Sequence, residues 1–398
     1  MKAIIDILFL IYDRQITIEN QPVYQTQVFN QILHLNNIGY KIFVISFSDN
    51  KKFFYEKYGV ILSENNIKFK ILKRKSFLQD IFSVVKSFFD LNKYLKIKYI
   101  YVRSVWSALP LSLISNFINL RFIFDIRGDI IDETKFNGSS NFKISILQFL
   151  ENYCLKKSNK ICAVSSYLLS QTRLKIGYEK ESYIIPSCVN TKEFQILNNQ
   201  FLNRRNEIGF TEKDIIIVYS GGVSKYQMLS KILKFWFLLS KENKNFKFLL
   251  LLIKNSKLSK ESFHYIDLLG KRLKILYLTR KQVSYYLPIA DIGFIFRENR
   301  SLNKSASPVK FGEYLSSGLK VVATSYIGDI SKQIVDNNLG LILSGKSGRK
   351  EINSFLNYFK NYNSKRKSYR FYSIKFAEEY YDWNSYNQVY ARIYGKIN

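Results

Sequence analysis

The 398-residue chain is long for a single core, and 47% of its residues are hydrophobic, which excludes a disordered protein and favours two domains. Lys and Arg number 61 against 31 Asp and Glu, and the net charge of +30 favours a phosphorylated ligand, an anionic membrane or nucleic acid. No Cys/His finger, RNP-type strand or basic zipper accompanies that charge, so nucleic acid is disfavoured; AT-rich coding bias would account for part of the Lys, Asn, Ile, Phe and Tyr excess.

The chain opens on an apolar run, Ala3–Tyr12. Asp6 interrupts it and no small-x-small cleavage site follows, so it reads as a buried first strand and not a signal peptide. Lys41–Phe47, Ile67–Leu72, Lys98–Val102, Arg121–Ile126, Lys160–Val164 and Ser182–Ile185 are short runs rich in Ile, Val, Phe and Tyr. Such runs suit strands buried on both faces of a parallel sheet. Between them, stretches such as Val23–Asn36 and Ser139–Lys156 have helical periodicity. Val105–Leu120 is the nearest approach to a membrane span, but its proline, three serines and two asparagines argue against one, so membrane contact is expected to be peripheral. After Ile185-Pro186-Ser187 a polar connection, Asn190–Asp214, precedes a second alternation: Asp214–Tyr219, Phe246–Ile253, Leu273–Leu278, Asp291–Phe296, Leu319–Ala323 and Leu339–Leu343. Phe376–Tyr394 reads as one long terminal helix. Strand and helix alternate throughout, which predicts two Rossmann-like doubly wound α/β domains.

Several chemistries are disfavoured. Neither Gly-x-Gly-x-x-Gly nor a Walker loop occurs, which counts against NAD enzymes and P-loop NTPases. Of the two histidines, His34 lies among Ile32, Leu33 and Leu35 and reads as a packing residue, and His264 as a surface one. Cys154, Cys162 and Cys188 form no Cys-x-x-Cys pair, so neither a disulfide framework nor a zinc site is indicated, and a reducing, cytosolic setting fits.

Two segments carry candidate chemistry. Ser220-Gly221-Gly222 follows directly on a strand, with a helix expected from about Ser224 and Lys225 in its first turn. Glycines and exposed N–H groups at such a turn make a phosphate site, or simply a tight turn. Ser307-Pro308-Val309-Lys310-Phe311-Gly312-Glu313-Tyr314-Leu315-Ser316-Ser317-Gly318 reads as a helix opened by Pro308 and closed by Gly318. Glu313, at its middle, either accepts hydrogen bonds from a ribose diol or is an ordinary surface glutamate.

Pro-x-Lys-x-x-Glu-Tyr-Leu-x-x-Gly-x-x-Val-Val, from Pro308 to Val322, resembles the donor-binding signature of glycosyltransferase family 4, retaining enzymes of the GT-B fold. Ile185-Pro186 with Val189-Asn190 and Phe194, Ala290-Asp291-Ile292-Gly293, Gly328, Asn337–Leu343, and Phe376-Ala377 with Trp383 and Tyr390 resemble further family landmarks in order. Phe124-Asp125-Ile126-Arg127-Gly128-Asp129 with Glu133 resembles the Asp-x-Arg-Gly motif of a bacterial surface-polysaccharide branch.

The resemblance implies two domains facing each other across a cleft: 1–190 for the acceptor and 191–375 for the donor, with 376–398 packing back on the first. It implies transfer of a sugar from a UDP- or GDP-sugar to a glycan or polyprenyl-linked acceptor, without a metal or other cofactor, at the inner face of the cell membrane. Donor binding would fall to Gly221, Gly222, Lys225, Arg297, Ser307, Pro308, Val309, Lys310 and Glu313, with Lys225, Lys310 and Glu313 catalytic. Arg103, Asp125, Arg127 and Asp129 would meet the acceptor, unless Asp125 and Arg127 only form a local ion pair. The sequence departs from the family at Ser305, where a first glutamate is usual, at Gly221-Gly222, where Gly-Arg is usual, and at Gln21–Gln27, where a glycine-rich loop often stands. A sugar-nucleotide epimerase of the same fold and a non-catalytic basic protein binding lipid or nucleic acid are the rival readings.

Overall fold

The computed structural model describes residues 2–13, 24–196, 198–254 and 256–395, the side chains of 198 and 199 excepted. Residues 21–23, from the segment standing where the glycine-rich loop is usual, lie outside these. The chain divides into two compact units, Met1–Pro186 with Tyr386–Asn398, and Ser187–Ser385. The division therefore falls at 186/187 and 385/386, where the sequence reading put it after 190 and 375.

Each unit is a parallel sheet with helices, as the strict alternation implied. The first sheet has the order β3-β2-β1-β4-β5-β6-β7, with β1 Ala3–Ile11, β2 Ile42–Phe47, β3 Lys68–Leu72, β4 Leu95–Val102, β5 Phe122–Ile126, β6 Lys160–Ala163 and β7 Ser182–Ile184. The second has the order β10-β9-β8-β11-β12-β13, with β8 Ile215–Gly221, β9 Phe246–Ile253, β10 Leu273–Leu278, β11 Ile292–Ile295, β12 Lys320–Thr324 and β13 Gly340–Leu343. Every residue of β2, β5, β11 and β12 is buried, which is why these runs carry no polar alternation. The strand order reverses between β1 and β4 in one unit and between β8 and β11 in the other. At such switch points the loops beyond the carboxyl ends of the two strands diverge and leave a crevice for a ligand.

Two local expectations are corrected. The segment read as one helix over Phe376–Tyr394 is broken into the end of a helix Tyr362–Tyr380, a 3-10 turn Trp383–Tyr386 and a helix Asn387–Tyr394. Asp382 causes the break. Its carboxylate accepts from Thr191 N (3.1 Å) and Thr191 Oγ1 (2.7 Å), and from Asn384 N (2.9 Å), bonds that a continuing helix would forbid. Past the break, Tyr390 and Ile393 are buried in the first unit, where His34 meets Asn387 Oδ1 at 2.8 Å. The helix expected from Ser224 begins only at Leu229; Lys225–Gln227 form a 3-10 turn, and Met228 follows with a φ of 51°. Among the described residues, no helix is long and apolar enough to cross a membrane.

Candidate functional site

In the second unit the candidate donor residues gather at the switch point. Gly221 ends β8 with a φ of 136°, a conformation that side chains disfavour. A Cβ there would lie 2.5 Å from Lys310 Cε and 2.6 Å from Nζ, so glycine suits the turn, and a side chain at this position would push the flexible lysine tip aside. Lys310 Nζ donates to Gln227 Oε1 at 2.6 Å and lies 4.1 Å from the Tyr219 ring centroid. The Tyr219 hydroxyl touches both the Gly222 carbonyl and Gln227 Oε1. Tyr314, from the signature helix Val309–Ser316, accepts from Ser220 N at 3.0 Å and so fixes the end of β8.

Arg297 stands just beyond β11, with its guanidinium 4.9 Å from the Tyr226 ring centroid. Thr324 Oγ1 clamps its backbone, with both the N and the O at 2.8 Å. Burial lowers its pKa. Burial, then the neighbouring Arg297, push Lys310 well below the usual lysine value, and Glu313 only partly opposes them. Among the described residues, neither cation has a carboxylate within ion-pair distance. Two cations brought together with one buried and the other half-buried, and no counterion beside them, are costly, and an anion placed between them removes that cost.

The other donor candidates fall around this centre. Ser307 Oγ accepts from Ser187 N at 3.0 Å, which anchors the approach to Pro308 and Val309 at the start of the signature helix. Glu313 is 4% exposed, so the surface-glutamate reading is excluded; its carboxylate pairs with Arg280. Arg280 opens the helix after β10, with its guanidinium 5.3 Å from the Phe194 ring centroid. The sequence reading passed over Arg280, since nothing in its local pattern announces a partner 33 positions away. Ser305, at the position of the family's first glutamate, is buried. Lys225 is exposed on its 3-10 turn, and Lys310, not Lys225, is the lysine held against Gly221.

In the first unit three of the four acceptor candidates meet around Asp125, which is fully buried on β5. Arg127 Nε reaches Asp125 Oδ2 at 2.5 Å, Arg103 Nε lies 4.0 Å away, and the Tyr101 hydroxyl donates to the same oxygen. Arg127 Nη1 also donates to Ile185 O at 3.2 Å, tying β5 to the end of the unit. Burial works to lower the Arg127 pKa, but Asp125 and Tyr101 outweigh it and raise it. Asp129 stands apart: it caps the helix Ile130–Phe136 by accepting from Ile131 N (3.2 Å) and Asp132 N (3.0 Å). Arg103 and Arg127 still line a cavity of about 180 Å³ together with Asp13, Ser104, Glu133 and Glu151. Burial, then Asp13, raise the Glu133 pKa. Burial raises that of Glu151 despite Lys175 at 2.9 Å. Asp13 and Glu151 escaped the sequence reading, because one follows an apolar strand and the other sits inside an amphipathic helix.

No protein-family model and no curated protein matches the sequence. Solved structures do match its fold over nearly the whole chain. Sucrose-phosphate synthase from Thermosynechococcus elongatus superposes with a TM-score of 0.72 at 11% identity, covering 98% of this chain and 99% of that one. Anabaena HepE in complex with UDP-glucose gives 0.70 at 14% identity, covering 97% and 98%. A putative UDP-N-acetylglucosamine 2-epimerase from Listeria monocytogenes gives 0.61 at 10% identity, covering 99% and 96%. At these identities the likeness establishes the fold, the GT-B architecture of two Rossmann-like parallel-sheet domains, and the chemistry must be argued from the residues.

Proposed function

We propose that the chain is a glycosyltransferase that takes a sugar from a UDP- or GDP-sugar and passes it, with retention, to a glycan or polyprenyl-linked acceptor in surface-polysaccharide synthesis at the inner face of the cell membrane. The observation that carries this reading is the pair Lys310 and Arg297 beside Gly221 at the β8/β11 switch point: Arg297 is buried, Lys310 half-buried, and among the described residues neither has a carboxylate within ion-pair distance. A nucleoside diphosphate supplies the missing charge. As the sugar departs, negative charge grows on the outer phosphate. Cations fixed in advance around it stabilise the transition state more than the ground state. Lys225 reaches the same phosphates from its exposed turn. Glu313 takes the ribose hydroxyls, with Arg280 orienting the carboxylate. The departing phosphate receives the acceptor proton, and the two cations take the place of a metal ion. Arg103, Asp125, Arg127 and Asp129 form or frame the acceptor pocket. HepE has been crystallised with UDP-glucose, which supports a uridine nucleotide as the first donor to try.

The decisive experiment is thermal shift with a panel of nucleoside diphosphates, since a ligand that binds only the folded state raises its melting point. UDP or GDP should shift the melting point selectively, Glu313→Ala should weaken binding by roughly 1.5–3 kcal/mol, and Lys310→Ala should depress turnover more than binding. Arg127→Lys should raise the acceptor KM and leave donor binding unchanged. No shift with any nucleotide would remove the proposal. An epimerase is a second reading, favoured by the carboxylates Asp13, Glu133 and Glu151 around one cavity and by the Listeria neighbour. Conversion of a UDP-sugar to its epimer without an acceptor would establish it.

A further inference from the structure

We infer that the helices Phe77–Tyr94 and Asn141–Lys157 form a membrane-inserting face, which holds the protein on an anionic lipid surface by burying aromatic side chains as well as by charge. This deepens the proposal above, which asks only for a lipid-linked acceptor at a charged surface. The sequence leaves the first of these helices readable as a core-facing helix with a solvated basic side. In the structure Val84 and Phe88 do face the core, but the side chains left outside are not simply basic. They recur at helical spacing as Leu78, Phe82, Lys86, Phe89 and Lys93, with Leu78 75% and Phe82 67% exposed. The second helix repeats the arrangement. Ile144, Leu147 and Leu155 are buried, whereas Phe142 is 77% and Phe149 69% exposed. The helix Val105–Ile114 packs between the two, which sets both on one side of the sheet, and Phe117 just beyond it is 87% exposed.

The charges on this face choose its partner. Lys86, Lys93, Lys143, Lys156 and Lys157 are exposed. Of the acids on the same two helices, Asp80 and Glu151 are buried and the half-exposed Asp90 pairs with Lys93 at 3.3 Å, so lysines outnumber acids on the exposed side. Lysines among outward aromatic rings match a phospholipid surface, where headgroup phosphates meet the ammonium groups and the rings reach the acyl boundary. A second copy of the chain would set lysine against lysine in a molecule of net charge +30, so self-association through this face is opposed.

The test is flotation of the full chain with vesicles of phosphatidylcholine, with and without phosphatidylglycerol. Binding should favour the anionic vesicles and weaken in about 1 M salt, where the Debye length is about 3 Å, but a salt-resistant fraction should remain. Phe82→Ser with Phe149→Ser should lower partitioning about tenfold or more per ring and abolish the salt-resistant fraction. Lys86→Glu with Lys93→Glu should remove the preference for phosphatidylglycerol. All variants should keep the wild-type melting point and nucleotide shift; if the double phenylalanine variant does not fold, Phe142→Ser alone gives the same reading. Binding that salt removes entirely, or phenylalanine variants that float like the wild type, would overturn the inference. So would a protein that does not float but forms a dimer, in sedimentation, that Phe82→Ser breaks. A failed nucleotide shift with normal flotation would sink the transferase reading and leave the membrane face standing.

Discussion

Lys310 is the cation held against Gly221, and its partial burial makes its charge, and so its share of nucleotide binding, pH-dependent. Burial and Arg297 depress its pKa in the ligand-free protein, whereas a bound diphosphate favours the charged form. Nucleotide binding should therefore take up a proton, and affinity should rise as pH falls through the window between the free and bound pKa values. Isothermal titration of UDP in buffers of different ionisation heat should reveal the uptake, and Lys310→Arg should flatten the profile because arginine stays charged. A Kd independent of pH in the wild type would refute the placement. Gly221 gives a second check. Alanine there meets both an unfavourable φ and the Lys310 side chain, so Gly221→Ala should reduce turnover about tenfold or more by displacing the cation, a loss of about 1.4 kcal/mol. Turnover equal to wild type would show that Lys310 works from elsewhere. The Asp125–Arg127 pair shows where reading single residues stops. The sequence offered a ligand contact or an ion pair, and the geometry has the guanidinium make the pair while Arg127 also lines the cavity.

At the scale of elements, strands were the most legible feature, because a strand buried on both faces must be a short unbroken apolar run. Phe246–Ile253 coincides residue for residue with β9, which is largely buried, and Leu273–Leu278 with β10, an edge strand only partly buried but still dominated by apolar residues. What escaped depends on contacts distant in sequence. Glu313 was visible through its motif, but its partner Arg280 was not. The turn at Lys225–Gln227 was hidden because Met228 adopts a positive φ that no sequence pattern signals. The break at Asp382 was hidden because its partner Thr191 is nearly half the chain away. That break can be tested. Burial works to raise the Asp382 pKa, but hydrogen bonds from Thr191 and Asn384 outweigh it and hold it below the ordinary 3.8. The stabilisation it contributes is thus complete above about pH 4 and lost as pH falls through the depressed value. Asp382→Ala should cost about 1–3 kcal/mol near neutrality. In urea melts at successive pH values, its deficit should shrink towards pH 2. A deficit that does not change with pH would deny the carboxylate this role.

At the scale of the whole molecule, the chain passes from the first unit to the second and back, so the first is assembled from two distant segments. The returning segment is structural. Gln31 Nε2 donates to the Tyr390 hydroxyl at 3.4 Å, Tyr40 donates to Gly395 O at 2.8 Å, and Tyr390 and Ile393 are buried. A fragment 1–186 should therefore fail to melt cooperatively until residues 386–395 are supplied by a linker, whereas 187–385 should melt as a unit by itself. Calorimetry of the three fragments decides this, and a stable 1–186 would contradict it. The same topology reverses the usual order of events on the ribosome. Domains generally complete themselves in the order in which they are made. Here the later-synthesised unit has all its residues before the earlier one receives its closing helix. Until then, the nascent first unit leaves uncovered the surface around Gln31, His34 and Tyr40 that receives the returning segment, along with its outward aromatic helices. Chaperone demand during translation should therefore be set by the unit that is made first and finished last.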